Sequence, residues 1–319
     1  MKDQPKEARI QKRGIFDLKG LAAFNYQDKI AKEGGINAIL SAMNNHPKNV
    51  DVQRDGCAAL MNLAVNNNNK RKIADADGVI TILSAIKKHS SNDVVQEYGF
   101  AALVNLDLNK EETRSAIAGE SGIRTIVKAM VRNPKNRNLQ RYGCRVLMKL
   151  AMDDKNKLKI SAVGGINKIL STMKAHSSNA DIQEYGCAAL RNLAVNDNNR
   201  NNIVTEKGIT TILSAMQNHR SDATVQVYGF EALANLAVND NYRNKIVKED
   251  GIPMILSSME NHQSNATVQQ CGLNLVVKDR IKDKVGTRGI AAIKAAMKIH
   301  PNNHTFQGKA QEALGLLQS

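Results

Sequence analysis

The sequence predicts an all-α solenoid, a stack of short helical units, on three observations. The pair Gly35-Ile36 recurs as Gly78-Val79, Gly122-Ile123, Gly165-Ile166, Gly208-Ile209 and Gly251-Ile252, then early as Gly289-Ile290, at steps of 43, 44, 43, 43, 43 and 38 residues. A glutamine keeps the same beat at Gln53, Gln96, Gln140, Gln183, Gln226, Gln269 and Gln307. Inside each unit the apolar residues follow helical spacing. Residues 165–207 and 208–250 agree at 26 of 43 positions, so the period records internal duplication. Units repeating every ~20–50 residues stack so that each touches only its neighbours, and such arrays present one long surface. The expected stack is a right-handed superhelix of about seven repeats behind an N-terminal half repeat.

Taken in order, residues 1–33 predict the half repeat. Leu18, Leu21 and Ala22 match Leu60, Leu63 and Ala64, and Ile30 matches Ile73. Such an opening fits either a cap or the remainder of a longer array. Residues 34–288 hold six repeats and 289–319 a partial one, read together as one continuous domain. In the unit from Gly35 to Asp77, Ile36, Ile39, Leu40 and Met43 fall at i, i+3, i+4 and i+7, an amphipathic helix. His46-Pro47 ends it, because proline disfavours helical geometry in the residue before it. A longer helix is expected over 50–65, with Cys57, Leu60, Leu63 and Ala64 as its apolar stripe and Asp51 near its N-cap. Asn66 to Asn69 break the chain, since asparagine prefers caps and turns. A short helix over 70–75, anchored by Ile73, follows, and Gly78 is expected to make the sharp turn into the next unit. Gly56 recurs inside the long helix as Gly99, Gly143, Gly186, Gly229 and Gly272. Glycine there costs about 1 kcal/mol relative to alanine, which points to a neighbouring helix packed too close for a side chain. The sixth repeat is five residues short, so the first short helix of the last unit should be missing or fused. Leu314, Leu316 and Leu317 end the array on an edge left for a cap or a partner.

Composition narrows the function classes. Apolar residues make up 42% of the chain but aromatics only 3%, with no tryptophan, so the core rests on Ile, Leu, Val, Met and Ala. A formal charge of +15 suggests an acidic partner: an acidic peptide, nucleic acid or an anionic membrane surface. Four cysteines lie a repeat or more apart with no metal-ligand spacing, as expected of free core thiols in a reducing compartment. Residues 1–14 are polar and carry no apolar signal segment. No apolar run is long enough to span a membrane. The expected location is cytoplasmic, with the nucleus as the alternative.

Six histidines, His46, His89, His176, His219, His262 and His300, each close the second helix of a repeat. Successive units stand about 10 Å apart by helix-packing distances, so these side chains cannot share a metal ion. A histidine at a helix C-terminus instead satisfies carbonyls and complements the helix dipole. No phosphate-binding glycine loop and no nucleophile–base constellation is visible. The sequence therefore predicts no enzyme, no metal and no cofactor.

The long-helix string ValGln-x-x-GlyCys-AlaAlaLeu-x-AsnLeuAla at 52–64, with close counterparts at 182–194 and 225–237, resembles the armadillo repeat. The resemblance covers roughly residues 8–319. It implies a short first helix, a second helix opening after glycine and a long third helix in each repeat. It also implies that the asparagine before Leu-Ala lines a groove and binds the backbone of an extended peptide. Those positions are Asn62, Asn105, Asn192 and Asn235, followed one turn later by Asn66, Asn109, Asn196 and Asn239. An amide suits the task because it both donates and accepts. The other reading of these asparagines is that they cap the helix and solubilise a turn. Relatives that bind nuclear localisation signals carry tryptophan four residues before the asparagine; here stand Ala58, Ala101, Ala188 and Glu231, so no import adaptor is expected.

Repeat three departs from this pattern. Residues 122–164 hold eleven Lys/Arg against Asp153 and Asp154, a net of +9, whereas residues 208–250 sum to −1. Arg141, Arg145 and Lys149 form one stripe, with Arg145 at the tryptophan position and Lys149 at the asparagine position. The leading expectation is a non-catalytic interaction scaffold that binds an extended, partly acidic protein segment against these residues. The alternatives are RNA or an anionic surface bound through repeat three, or a targeting module of a larger enzyme. Base stacking is poorly served, since Tyr98, Tyr142, Tyr185 and Tyr228 precede packed glycines and read as boundary packing.

Overall fold

The computed structural model describes residues 4–119, 121–278 and 281–318. Every regular element among them is a helix. Two compact units are distinguished, one running to Lys168 and one from Ile169.

The first unit opens with α1 (Ala8–Ala23) and α2 (Gln27–Lys32), the half repeat. Then follow α3 (Gly35–Asn45), α4 (Val50–Leu63), α5 (Asn67–Asp75), α6 (Gly78–Lys88), α7 (Asp93–Asn105), α8 (Glu111–Ile117), α9 (Gly122–Arg132), α10 (Arg137–Leu150) and α11 (Asp154–Ala162). The long helices α1, α4, α7 and α10 lie side by side, with α3, α6 and α9 packed behind them. Ile15, Ile39, Leu60, Leu63, Ile73, Ile82 and Leu147 are wholly buried between these layers. After α12 (Gly165–Ala175), the second unit repeats the pattern through α13 (Ala180–Leu193), α14 (Asp197–Thr205), α15 (Gly208–Asn218), α16 (Ala223–Leu236), α17 (Asp240–Lys248), α18 (Gly251–Asn261) and α19 (Ala266–Val276). It closes with α20 (Lys282–Ile299) and α21 (His304–Gln318). Within it, α16 packs between α13 and α19.

The ladder glutamines tie the two layers together. Each donates Nε2 to two carbonyls at the end of the preceding helix, and all but the half-buried Gln307 are buried. Gln53 reaches Met43 O at 2.8 Å and His46 O at 3.1 Å; Gln183 reaches Met173 O at 3.0 Å and His176 O at 2.9 Å. Met43 O and Met173 O belong to the last turn, where intrahelical donors run out, while His46 O and His176 O also accept from Asn49 N and Asn179 N at 3.0 Å. Gln11 plays the same part in the half repeat, donating to Gln4 O at 2.7 Å.

Several expectations are corrected in detail. Asp51 is not the N-cap of the long helix. Asn49 is, accepting from Asp51 N and Val52 N, and Asn92, Asn136, Asn179, Asp222 and Asn265 repeat the cap. Gly78 does not make the turn. The left-handed residue is the one before it, Asp77 at φ 58°, as at Lys207 and Asp250. Gly78 is the first helical residue, and a Cβ there would meet Ile73 O at 2.5 Å. Leu21 is 45% exposed where its counterpart Leu63 is 0% exposed, because only α4 packs on α1 among the long helices. The long-helix glycines do mark close approach: a Cβ on Gly56 would lie 2.5 Å from Met43 Sδ. The short helix of the last unit is fused into α20, across a kink at Gly286 with φ 58° and ψ −163°.

One long helix breaks the rule. Where α4 and α10 pass into Ala64 and Ala151 near helical geometry, α7 stops at Asn105 and Leu106 turns extended at ψ 156°. The chain then runs through a tight bend, Leu108 N to Leu106 O at 2.8 Å, with both leucines buried.

The four cysteines are free and buried. Burial pushes the thiols of Cys57, Cys144 and Cys187 up to about 12 and that of Cys271 to about 11, so thiolate is scarce near neutral pH.

Candidate functional site

The asparagine before Leu-Ala has a structural partner. Asn105 donates Nδ2 to Met61 O at 3.0 Å, Asn235 to Arg191 O at 2.9 Å, and Asn62 to Lys19 O at 3.4 Å. Each acceptor sits on the preceding long helix. The reason is plain at the end of α4. Ala64 N takes Leu60 O, Val65 N takes Asn62 O and Asn66 N takes Leu63 O, which leaves Met61 O without a backbone donor. The next unit supplies one. These half-buried side chains spend an amide hydrogen on the array. Asn192 accepts on its oxygen from Arg191 Nε at 3.0 Å.

The second asparagines are mostly caps. Asn66 holds Asn68 N and Asn69 N, Asn196 holds Asn199 N, and Asn239 holds Asn241 N and Tyr242 N. Their oxygens hold backbone amides at the start of the short helix, the capping arrangement that the sequence offered beside the groove. Asn109 differs, for it lies in the bend after α7 and accepts from Lys149 Nζ at 2.8 Å.

Of the basic stripe, Arg145 is exposed, while Arg141 and Lys149 are half-buried. Arg141 lies 4.8 Å over the Tyr142 ring. Arg145 and Lys149 line a cleft of about 300 Å³ together with Asn105, Asn109, Lys70 and the apolar Val65 and Leu106. Arg141 is outside it. Lys70 was not singled out by the sequence reading, although its position carries a cation in every full unit: Arg114, Lys157, Arg200 and Arg243. Arg200 shows what that cation does, donating Nη1 to Ala194 O at 2.9 Å and Val195 O at 3.0 Å at the end of the long helix. Arg114 does the same for Leu108 O and Asn109 O and also grips Asp153 through two bonds of 2.7 and 2.8 Å.

In the second unit the Arg145 position holds Ala188 and then the acidic Glu231. Glu231 meets Arg191 at 2.7 Å, and the same guanidinium lies 5.0 Å over the Tyr228 ring, so this tyrosine packs at a boundary. The histidines close their own helices as C-caps, and their imidazoles also join neighbouring repeats. His89 Nε2 donates to Pro47 O at 2.9 Å, His219 to Ser177 O at 2.8 Å and His262 to Arg220 O at 2.7 Å. In repeat three the place is held by Asn133, which bonds back to Ala129 O of its own helix. Among the described residues no three His, Cys, Asp or Glu are gathered as metal ligands would be, and no helix is long and apolar enough to cross a membrane.

Comparison with known proteins agrees with this architecture. The family model for the LRRK2 ARM repeat matches residues 32–166. A crystal structure of an engineered protein superimposes with a TM-score of 0.65 at 21% identity, over 78% of this chain and 97% of that one. A structure from work on a phosphorylation switch controlling the interaction between cadherin and beta-catenin gives a TM-score of 0.78 at 14% identity, over 98% of this chain and 67% of that one. At such identities the likeness is one of fold. No curated protein matches the chain in sequence.

Proposed function

The chain is an armadillo-repeat protein, and from that premise we propose that it is a non-catalytic scaffold that binds an extended, partly acidic segment of a partner protein along its long-helix face. The observation that carries this reading is the meeting of Arg145, Lys149 and Lys70 in one cleft with Asn105 and Asn109. Cations draw a carboxylate-bearing segment in, and the Asn105 oxygen accepts from its backbone amides. Beta-catenin, whose interaction with cadherin is the subject of one similar structure, offers a precedent for the fold as a protein-binding array.

The test uses a fluorescent pool of nine-residue peptides rich in glutamate. Reversing Arg145 and Lys149 together to Glu should weaken binding by about tenfold or more, since charge-assisted hydrogen bonds are worth ~1.5–3 kcal/mol each. Reversing the exposed pair Lys87 and Lys88 should change it little. If the two double reversals weaken binding equally, attraction is global and the reading fails.

A further inference from the structure

We propose that the cleft beside α7 is a receptor for one phosphoryl group, carried on a serine or threonine of the bound segment; this rests on the scaffold reading above and deepens it. Two departures from the repeat rule coincide here. α7 is cut short at Asn105, and its extended Leu106 opens the end of the helix layer. On the next long helix, Arg145 stands where the other repeats hold Ala58, Ala101 and Ala188, and Lys149 where they hold asparagine. Both departures border the same cleft of about 300 Å³, to which α5 adds Lys70. One irregularity alone would be drift, but backbone and charge altered at one place make a pocket.

The number and placement of the cations select the ligand. A phosphomonoester carries about −1.5 to −2 charges and three acceptor oxygens, and it engages several donors at once. A carboxylate offers two oxygens and one charge. Here three cationic side chains from two helices line one cleft, with Asp107 as the only carboxylate among the lining residues. The Arg145–Lys149 pair does not recur on the other long helices, and the neighbouring cations Arg71, Lys72 and Lys110 line an adjoining cleft that also holds Asp75 and Asp107. A nucleic acid brings a phosphate at every nucleotide and is tracked by a groove of repeated positive charge. The Arg145 position is alanine in three other repeats and Glu231 in a fourth, so the cleft suits one concentrated charge rather than a line of them.

The array itself provides substitutions that fit. Arg145→Ala and Lys149→Asn install the residues that other repeats carry at these positions. Three pools of nine-residue peptides, degenerate at the flanks and fixed at the centre as serine, glutamate or phosphoserine, are titrated by fluorescence polarisation. On the wild-type chain the phosphoserine pool should bind at least about tenfold more tightly than the glutamate pool. That ratio should fall to near one in the Arg145→Ala/Lys149→Asn variant and persist in a Lys87→Gln/Lys88→Gln control. Equal binding of the phosphoserine and glutamate pools by the wild type would overturn the phosphoryl receptor while leaving an acidic-segment scaffold standing. Binding of no pool would overturn both. Persistence of the ratio in the double variant, or its loss in the lysine control, would also overturn the receptor. Thermal unfolding of each variant close to that of the wild type shows that affinity and not folding is being read.

Discussion

Asn105 donates to a carbonyl that the helix before it cannot satisfy, and that one bond separates a structural from a purely ligand-facing asparagine. Asn105→Ala should therefore destabilise the free protein by about 1–2 kcal/mol, the cost of leaving Met61 O unpaired. Urea unfolding of the unliganded protein measures it. A residue serving only a ligand would leave the midpoint unmoved. Asp55 gives a second prediction at this scale. It is 1% exposed and meets Lys19 at 2.8 Å and Arg54 at 2.9 Å. Burial works to raise its pKa, but the hydrogen bonds and charges of Arg54 and Lys19 outweigh it and hold the carboxyl below the ordinary range. With the folded pKa depressed, its stabilisation is present above the unfolded value of about 3.9 and is lost as pH falls through the lower folded value. Asp55→Asn should thus lower stability at pH 7, and the gap to wild type should close as the pH drops below about 4. A gap independent of pH would show that the ion pairs contribute nothing.

At the scale of elements, the spacing of Ile36, Ile39, Leu40 and Met43 and the stripe of Cys57, Leu60 and Leu63 made both main helices of each unit legible. The long-helix glycine was legible too, because a cost repeated in six units implies a neighbour, and Met43, Met130 and Met173 are those neighbours. Gly143→Ala should accordingly destabilise the fold by about 1–3 kcal/mol through crowding of Met130, although alanine is the better helix former. Chemical denaturation showing a more stable variant would refute this packing. What the sequence hid were bonds between units. Asn62 and Asn66 look alike on a helical wheel, yet one reaches back to the previous helix and the other caps the next. Which does which depends on where the helix ends, and boundaries are set by tertiary contacts rather than by composition. For the same reason Asp51, an acceptable cap by type, lost the position to Asn49, and the turn assigned to Gly78 fell on Asp77. Lys70 escaped notice because its counterparts mostly serve as helix ends, and only the irregular close of α7 brings it to a cleft.

For the whole molecule, the period announced the architecture and the uneven charge announced where to look for a partner. Residues 122–164 alone carry +9 of the formal +15. If binding is centred there, affinity for the glutamate-rich pool should fall with salt in the wild type and lose most of that dependence once Arg145 and Lys149 are neutralised, because ions screen charges over about 8–10 Å at physiological strength. An unchanged salt dependence would move the binding elsewhere on the chain. The most direct measurement of the central claim is site-specific photo-crosslinking from two exposed positions. Val65 lines the cleft and is 68% exposed; Ile80 is 61% exposed on α6 and is not among the cleft residues. With a photoreactive phenylalanine analogue at each in turn, the peptide pool should attach at position 65 and not at position 80. Equal attachment at both, or attachment only at position 80, would contradict a scaffold that binds its partner along the long helices.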